Sequence, residues 1–419
     1  MKTFVVLLLV AFCAASKSRT TRQFLLPHGT SGILRVPYSG FCDDKDVTLD
    51  YRVSFYKFVL EIYKKTAVRA NFHFVFAPFS IWRGLAALAE GADHVLQQPL
   101  FQFLSLPNDP CTRQKYYDIM SQRIVPGDDI KITNNRTLVL DEHSTVNQNW
   151  LDTVHRNSML EVTSAPIKRY PLIAANSMRQ IMSAPLKSLN LEGNSVILDS
   201  FEFDAFWTTA FADAIVQRAP FYDQVGQKIG SVDLMTMRKR VKMVYVPSMN
   251  MKLVELPVGL NSRYRAFFGI LLSKDNNLLP FLEKITPLMV LDFIDNLRES
   301  HIPIEVAIPR FTMTSDIDVR SILEDMGLSN LWTDPAATRY ISEPAALPSS
   351  YAQRTTLTFN KQGISPNLQV QELSYNASTG LDPILGRDFI ANKPFLFSIW
   401  DAETYSCLIS AAYTKPTYA

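Results

Sequence analysis

The residues best suited to acid–base, nucleophilic or metal chemistry are thinly scattered in this sequence. No two of the six histidines show the His-x-x-x-His spacing of a metalloprotease helix. No glycine-rich phosphate loop ends in Lys-Ser or Lys-Thr, and residues 29–32 (Gly-Thr-Ser-Gly) lack the pattern of a nucleophile elbow. We therefore expect a protein that is not an enzyme and that holds no metal or cofactor.

Covalent modification is the chemistry that the sequence does indicate. Two Asn-x-Ser/Thr sequons, which accept N-linked glycans, begin at Asn376 and Asn135. Asn376 lies among Ser, Thr and Gly residues that suit an exposed turn. Asn135 leads into a predicted core strand. We therefore expect Asn376 to carry a glycan and regard Asn135 as the less favoured site.

The first residues have the composition of a secretory leader. Lys2 precedes an apolar run over residues 5–15, which ends in small residues. The run is too short to span a membrane, and no later stretch reaches the length of a membrane helix. We expect residues 1–16 to be a signal peptide, the protein to be secreted, and residues 17–46 to form an N-terminal tail.

Cysteine usage fits an oxidising compartment. Removal of the leader would take Cys13 with it and leave an odd number of cysteines. Cys42 and Cys111 lie in polar, loop-like surroundings and form the predicted disulfide. Cys407 lies in an apolar strand near the C-terminus and is predicted to be a buried thiol.

Composition and charge narrow the classes of partner. The chain is 47% hydrophobic and 20% charged, as globular proteins are, and its net charge of +2 gives no sign of nucleic-acid binding. We expect a monomer. One basic cluster is formed by Arg238, Lys239, Arg240 and Lys242. It is either a patch for anionic glycans or a solvated hairpin edge whose charges oppose aggregation, and its shortness favours the edge.

The predicted elements place helices early and strands late. Apolar residues from Tyr51 to Tyr63 repeat at helical spacing, and a second helix follows Pro78. After residue 215 strands dominate, with helices predicted over 279–285 and 319–326. No repeat or linker divides the chain, so we expect one α+β domain over residues 47–419. Residues 360–393 lie between two strands without an element of their own, and such a stretch is usually functional or disordered.

Five short motifs, taken in their order, carry a resemblance to the serpin family. They are Phe76-Ala77-Pro78-Phe79-Ser80-Ile81, Val254-Glu255-Leu256-Pro257, Ile308-Pro309-Arg310-Phe311, Ile322-Leu323-Glu324-Asp325-Met326-Gly327-Leu328 and Lys393-Pro394-Phe395-Leu396-Phe397. The resemblance extends from about residue 48 to the C-terminus. It implies a fold of three β-sheets and eight to nine helices, with an exposed reactive loop at about residues 363–392.

The resemblance also implies a mechanism and a partner, an extracellular serine protease. In inhibitory members the protease cuts the loop, and the loop hinge then enters the central sheet as a new strand and traps the acyl-enzyme. Here the hinge residues are Gly363, Ile364, Pro366 and Leu368. Inhibitors mostly have small residues there, whereas Ile364 and Leu368 are bulky and Pro366 lacks the N–H that a central strand needs.

One pattern in the same segment favours insertion. Apolar residues at 364, 366, 368 and 370 alternate with polar residues, which is the period of a strand with one face in a core. The sequence therefore leaves slow or partial insertion open. A further departure lies under the central sheet, where Ala77, Asp199 and Gln353 replace the family's Ser, Asn and His. A buried Asp199 would be costly unless it is paired or protonated.

The position of the cleaved bond is ambiguous. Counting from Gly363 places it near Ala377–Ser378, whereas counting back from Pro394 places it near Pro383–Ile384. Arg387–Asp388 is the only bond in this part of the loop that follows a basic residue. We expect a secreted serpin-fold protein that is non-inhibitory or a weak inhibitor, acting as a binding partner or a cleavable substrate. The alternatives are a working inhibitor of serine endopeptidases and a carrier of a small ligand.

Overall fold

The computed structural model describes residues 45–121, 130–182, 189–208, 211, 215–272, 278–365 and 388–418. Ten α-helices lie in these residues. They are α1 (Thr48–Arg69), α2 (Pro78–Glu90), α3 (His94–Phe103), α4 (Pro110–Ser121), α5 (Gln148–Arg156), α6 (Pro171–Met182), α7 (Leu278–Lys284), α8 (Pro287–Asp295), α9 (Val319–Asp325) and α10 (Asn330–Thr333).

The same residues form eighteen strands. They are β1 (Phe74–Phe76), β2 (Ile130–Asp141), β3 (Thr145–Val146), β4 (Glu161–Ala165), β5 (Ser195–Phe206), β6 (Ile215–Tyr222), β7 (Lys228–Lys239), β8 (Lys242–Val246), β9 (Met251–Val258), β10 (Tyr264–Leu271), β11 (Arg298–Glu299), β12 (Ile304–Asp318), β13 (Ser342–Glu343), β14 (Pro348–Phe359), β15 (Gly363–Ile364), β16 (Phe389–Ile390), β17 (Phe395–Asp401) and β18 (Cys407–Tyr413).

The helix α1 follows from its apolar spacing. Tyr51, Phe55, Phe58 and Ile62 recur every three or four residues, and all four are buried. Asp50 in the first turn and Arg69 in the last complement the helix dipole. α2 begins with Pro78, which suits a first helical position because its missing N–H has no partner there. Both helices, and those predicted near residues 279 and 319, occur as expected.

The strands assemble into three sheets, as the resemblance implies. A nine-stranded sheet, here called the central sheet, has the order β4-β2-β5-β15-β14-β12-β7-β6, with β16 also paired to β12. A seven-stranded sheet, here called the second sheet, has the order β1-β18-β17-β10-β9-β8-β11. The third is the two-stranded pair β13-β3. Mixed sheets with separate helices confirm the α+β class.

The main core lies between the central and second sheets and is rich in aromatic rings. Phe359 of β14 lies with its ring centroid 5.1 Å from that of Phe397 and 5.0 Å from that of Phe311. A smaller cluster packs α6 onto the other face of the central sheet through Val139, Leu198 and Met178. The end of β14, where the loop begins, is therefore anchored by a rigid aromatic core.

Candidate functional site

The hinge of the loop lies inside the central sheet. β14 ends at Phe359, the chain turns, and β15 runs back antiparallel between β14 and β5. Ile364 pairs with Phe359 on one side and with Ala205 on the other. The Ser365 N–H donates to the Thr358 carbonyl at 2.8 Å. The first residues of the loop are thus already a central strand.

The turn before β15 is held by side chains as well as backbone. The Asn360 side-chain oxygen accepts the N–H groups of Gln362 and Gly363 at 2.9 and 3.0 Å. Trp207, just beyond β5, donates its ring N–H to the Asn360 carbonyl at 2.9 Å and its backbone N–H to the Gln362 carbonyl at 3.0 Å. Trp207 and Asn360 were not singled out from the sequence, because neither forms a local motif.

Glycine is required at position 363 because the backbone of β5 lies too close for a side chain, and not because of an unusual φ angle. A Cβ built there would lie 2.1 Å from the Ala205 carbonyl oxygen and 2.8 Å from Phe206 Cα, which no side chain can satisfy. The next residue, Ile364, is fully buried in the main core. Its bulk therefore does not keep it out of the sheet, and its inward orientation agrees with the alternating pattern of the segment.

A hydrogen-bonded cluster, here called the Asp199 cluster, lies under the seam between β5 and β14. Asp199 is 0% exposed. Its carboxylate accepts hydrogen bonds from Ser80 Oγ at 2.7 Å, Asn134 Nδ2 at 3.1 Å and Gln353 Nε2 at 2.8 Å. Gln353 also exchanges two hydrogen bonds with the backbone of Ala77, at 2.9 and 3.0 Å. The three departures from the family pattern are therefore joined in one network, and Asp199 is paired.

Arg136 supplies the positive charge of this cluster. Its guanidinium, buried beside β2, donates to Ser80 Oγ at 2.8 Å and to Asn134 Oδ1 at 2.7 Å. Burial raises the pKa of Asp199, whereas the charge of Arg136 and the three hydrogen bonds oppose that rise. Burial likewise lowers the pKa of Arg136. The strand alternation of β2 turns Asn134 and Arg136 inward, a signal that sequence reasoning did not use.

Three sheets, with a reactive-loop segment that follows β14, are the architecture that the motifs implied, whereas the seating of Gly363–Ser365 between β5 and β14 differs from the exposed loop expected there. The model of the family described as Serpin (serine protease inhibitor) matches residues 54–416. The chain belongs to the serpin family.

Relatives and solved structures agree with this assignment. An uncharacterized serpin-like protein of Methanosarcina mazei is 22% identical over 368 residues, covering 82% of each chain. An FXa-directed anticoagulant of Aedes albopictus is 24% identical over 216 residues, which are 51% of this chain and 48% of the relative. A structure described as thyroxine-binding globulin complex with thyroxine aligns with a TM-score of 0.74 at 16% identity, covering 88% of this chain and 100% of that one. At that identity the likeness shows the fold alone.

Most of the predicted reactive loop of this serpin, residues 366–387, lies outside the described residues. This includes the hinge residues Pro366 and Leu368, the sequon at Asn376, and the candidate bonds Ala377–Ser378 and Pro383–Ile384. Arg387 is also outside, and so are residues 1–44 with Cys42. The predictions for these residues, and the boundaries at 16 and 46, stay predictions.

Asp388 follows the candidate bond Arg387–Asp388, and it is held against the body of the serpin. Its side chain accepts the Glu305 N–H at 2.9 Å, and its carbonyl accepts Lys252 Nζ at 3.0 Å. Phe389, the next residue, is fully buried and pairs with Val306. Burial and the charge of Asp388 raise the pKa of Glu305. The C-terminal end of the loop is therefore anchored from Asp388 onward.

The basic cluster lies where the chain passes from the central sheet to the second sheet. Arg238 and Lys239 end β7, Lys242 begins β8, and these residues and Arg240 are exposed. Lys242 Nζ lies 3.6 Å from a Glu255 carboxylate oxygen. The predicted hairpin edge is wrong, because β7 and β8 belong to different sheets and do not pair, and binding of anionic glycans stays a hypothesis.

The two described cysteines differ in their surroundings. Cys407 is a free thiol and 1% exposed, as predicted, and burial raises its pKa. Cys111 lies in the first turn of α4. Its pairing with Cys42 stays a prediction because Cys42 lies outside the described residues.

An apolar cavity lies between α1, α7, α8 and the second sheet. Its volume is about 140 Å³. The walls are mainly aromatic and aliphatic, with Tyr56, Phe267, Phe293 and Trp400 among them. Ser398 and Ser410 also line it. Sequence reasoning did not locate this cavity, because its walls come from segments far apart in the chain.

The residues that the structure describes include neither a membrane-spanning helix nor a metal-binding group of side chains. No helix there combines the length and the apolar composition needed to cross a membrane. In the same ranges no group of three or more His, Cys, Asp or Glu side chains is arranged to hold a metal ion.

Proposed function

We propose that this protein is a secreted serpin that is non-inhibitory or a weak inhibitor, and that it acts as a binding partner or a cleavable substrate of an extracellular serine protease. Inhibition by the family mechanism needs fast and complete entry of the loop between β5 and β14. The proposal is supported by the residues of β5 and β14 that the loop would lie between if it inserted beyond Ser365.

The register of β15 indicates where each further residue would go. Gly363 is opposite Phe206 and Ile364 is opposite Ala205, so continuing the strand would bring Val370 opposite Asp199. Counting on the other side, from the pair of Ile364 with Phe359, brings Val370 opposite Gln353. The side chain of Val370 would therefore enter between the two groups that hold the seam closed.

The observation that carries the proposal is the hydrogen bond of 2.8 Å between Gln353 and the buried carboxylate of Asp199. Entry of Val370 would break it and offer no donor in exchange. A hydrogen bond to a buried charged group contributes about 1.5–3 kcal/mol. Pro366 adds the loss of one ladder hydrogen bond nearer the hinge. Together these two losses would raise the free-energy barrier to insertion enough to slow it by about tenfold or more. Slower insertion gives the protease more time to be released before it is trapped.

The bonds upstream of Arg387 are the better candidates for cleavage. A protease cleft takes an extended segment on both sides of the cut, and the chain after Asp388 is paired and buried. A cut at Arg387–Asp388 would require β16 to leave β12. Cleavage near Ala377–Ser378 or Pro383–Ile384 requires no such step.

The test is a reaction with a panel of extracellular serine proteases, analysed on denaturing gels. We expect cleaved loop without a covalent complex. A complex that survives denaturation at near-equimolar ratios would overturn the proposal and establish the working inhibitor instead. The matched variant Pro366→Ala, Leu368→Ala removes the proline and the bulky side chain beyond Ser365, and it should trap more protease than the natural sequence does.

A second candidate function, a small-ligand carrier, is favoured by the cavity beside α1. Its uncharged aromatic walls would suit an apolar ligand with one or two hydroxyl groups near Ser398 and Ser410. The thyroxine complex named for one structural neighbour is consistent with a serpin fold holding such a ligand. This candidate is independent of the loop.

Thermal shift with thyroxine, a steroid and a fatty acid tests the carrier hypothesis. Gly269 lines the cavity, and a Cβ there would make ordinary contacts of 3.6 Å with Leu253 and Met251. Gly269→Val should therefore fill space and abolish any shift, whereas Leu260→Val, at an exposed position, should not. No shift with any of the three ligands would count against the carrier.

A further inference from the structure

Asn135 has an exposed side-chain amide, whereas the residues next to it on β2 are hydrogen-bonded or buried. Along β2, Asn134 belongs to the Asp199 cluster, Arg136 is 4% exposed and Thr137 is 8% exposed. Asn135 itself is exposed, and within the described residues its side chain makes no hydrogen bond. Membership of a core strand therefore does not hide this sequon, because strand alternation turns Asn135 outward.

We propose that Asn135 carries an N-linked glycan on the outer face of the central sheet. The inference rests on the secretion included in the proposed function, since the modification takes place in the secretory compartment. In the transfer, the Asn135 amide nitrogen loses a proton and bonds to the anomeric carbon of a lipid-diphosphate-linked oligosaccharide. The bond between that carbon and the diphosphate oxygen breaks, and the lipid diphosphate leaves with the electron pair.

The outer face has room for a sugar at this level. Asn135 lies opposite Ser200 of β5, which lies opposite Arg354 of β14, and Arg354 forms an ion pair of 2.8 Å with Asp316 of β12. This row of polar side chains crosses the sheet without an apolar residue. A carbohydrate standing on it would cover no surface that needs burial.

α6 covers the same face only below this row. The residues packed under it on β2 and β5 are Val139, Val196 and Leu198, all 0% exposed. Thr137 lies at the upper rim of the covered part. Its burial does not oppose modification, because glycan transfer takes place on the unfolded chain and the finished glycan needs only Asn135 exposed.

The glycan would define which surfaces of this serpin can meet a protein partner. It would project along the sheet normal, whereas a loop entering between β5 and β14 would lie in the plane of the sheet. Insertion should therefore be unaffected, but the upper outer face of the central sheet would be closed to docking.

The experiment is peptide mapping of the protein secreted from animal cells. Trypsin should release residues 132–136, in which Asn135 follows the non-sequon residue Asn134. Glycosidase treatment in heavy-oxygen water should convert Asn135, and not Asn134, to labelled Asp. Asn135→Gln and Thr137→Val should remove the glycan, whereas Thr137→Ser, which keeps the sequon, should retain it.

The possible failures are distinguishable. A secreted chain that begins after residue 16 and carries unmodified Asn135 would overturn the glycan and leave the secretion standing. A chain that stays in the cell with residues 1–16 attached and no glycan would overturn both. A glycan found at Asn376 alone would also overturn the inference.

Discussion

Asp199 and Arg136 decide how firmly the seam of the central sheet is closed. Neither touches the other directly, since Ser80 and Asn134 lie between them and bond to both. The arrangement allows two buried charges to compensate each other while every intervening hydrogen bond is formed. Removal of one charge leaves the other without compensation in the core.

Asp199→Asn should therefore lower the free energy of unfolding by about 3 kcal/mol, because breaking a buried pair strands the remaining charge. The pair Asp199→Asn with Arg136→Met should recover part of this loss, since the buried charge of Arg136 is removed together with that of Asp199. Chemical denaturation of the two single variants and the double variant measures the coupling. Strictly additive losses would show that the two side chains do not interact.

His73 should make this serpin sensitive to mild acid. Its Nδ1 accepts the N–H groups of Thr414 and Lys415 at 3.2 and 3.3 Å, and burial lowers its pKa to about 4 from an ordinary 6.5. Between these two values the unfolded chain binds the proton more readily than the folded chain does. Stability from this group is thus complete above pH 6.5 and is lost as the pH falls toward 4.

The melting temperature should accordingly drop between pH 7 and pH 4.5. His73→Asn, which keeps an acceptor near the position of Nδ1 but does not titrate, should flatten the profile in that interval. An unchanged profile in the variant would assign the acid sensitivity to other groups.

At the scale of residues, the sequence located the buried Asp199 but did not identify the side chains that bond to it. Asp199 could be flagged as a costly buried acid, because the family resemblance located it. Asn134 and Arg136 could not, since a polar pair on the inner face of a strand looks like any exposed polar pair until burial is known. The exposure of Asn135 was not predicted for a related reason, because strand membership was weighed and the direction of the side chain was not.

At the scale of elements, the hinge hairpin of β14 and β15 is the part most exposed to single substitutions. Gly363→Ala should expel β15 from the sheet, because its Cβ has no space beside the Ala205 carbonyl. Hydrogen exchange of the Ser365 amide, now bonded to Thr358, should accelerate strongly. Gln362→Ala, at an exposed position in the same turn, is the control and should leave exchange unchanged. Equal protection in both variants would contradict the steric argument.

Cleavage in the loop should raise the melting temperature only slightly. Pro366 and the displaced hydrogen bond between Asp199 and Gln353 oppose a complete new strand, so nicking between Val370 and Arg387 should give little stabilisation. The variant Pro366→Ala, Leu368→Ala, which keeps the seated Ile364, should gain more when nicked. Calorimetry before and after limited proteolysis measures both, and a large rise in the natural sequence would refute the expectation.

The elements themselves were largely predictable and the seated hinge was not. α1, α7 and α9 follow from apolar periodicity. β15 has only two residues, and its strand state depends on a gap between β5 and β14 that local sequence cannot encode. The alternation from residue 364 onward indicated an inward face but gave no information on how far the segment enters.

At the scale of the whole molecule, the fold was predictable from the order of five family motifs. The cavity beside α1 was not, because its walls come from segments far apart in the chain.

The disulfide is the covalent feature of the whole molecule that stays a prediction. Peptide mapping without reductant should find Cys42 bridged to Cys111, tying the N-terminal tail to α4, and Cys407 free. A bridge that includes Cys407 would refute this.

The pairing of β14 with both β5 and β15 has a consequence for the order of folding events. The contact between Gln353 and Asp199 joins residues 154 positions apart, whereas the Ser365–Thr358 hydrogen bond closes a hairpin of a few residues. Local hairpins form in about 1–10 μs, and distant parallel pairings form far more slowly. A complete chain that refolds from the unfolded state would therefore tend to extend the hairpin before β5 arrives. The folded molecules should then be of two kinds: the structure described here, and a zipped form in which the loop continues beyond Ser365 as a strand between β5 and β14. Their ratio would depend on how quickly Asp199 forms its contact with Gln353. Refolding from denaturant should yield more of the zipped form than synthesis does, since β5 leaves the ribosome before β14.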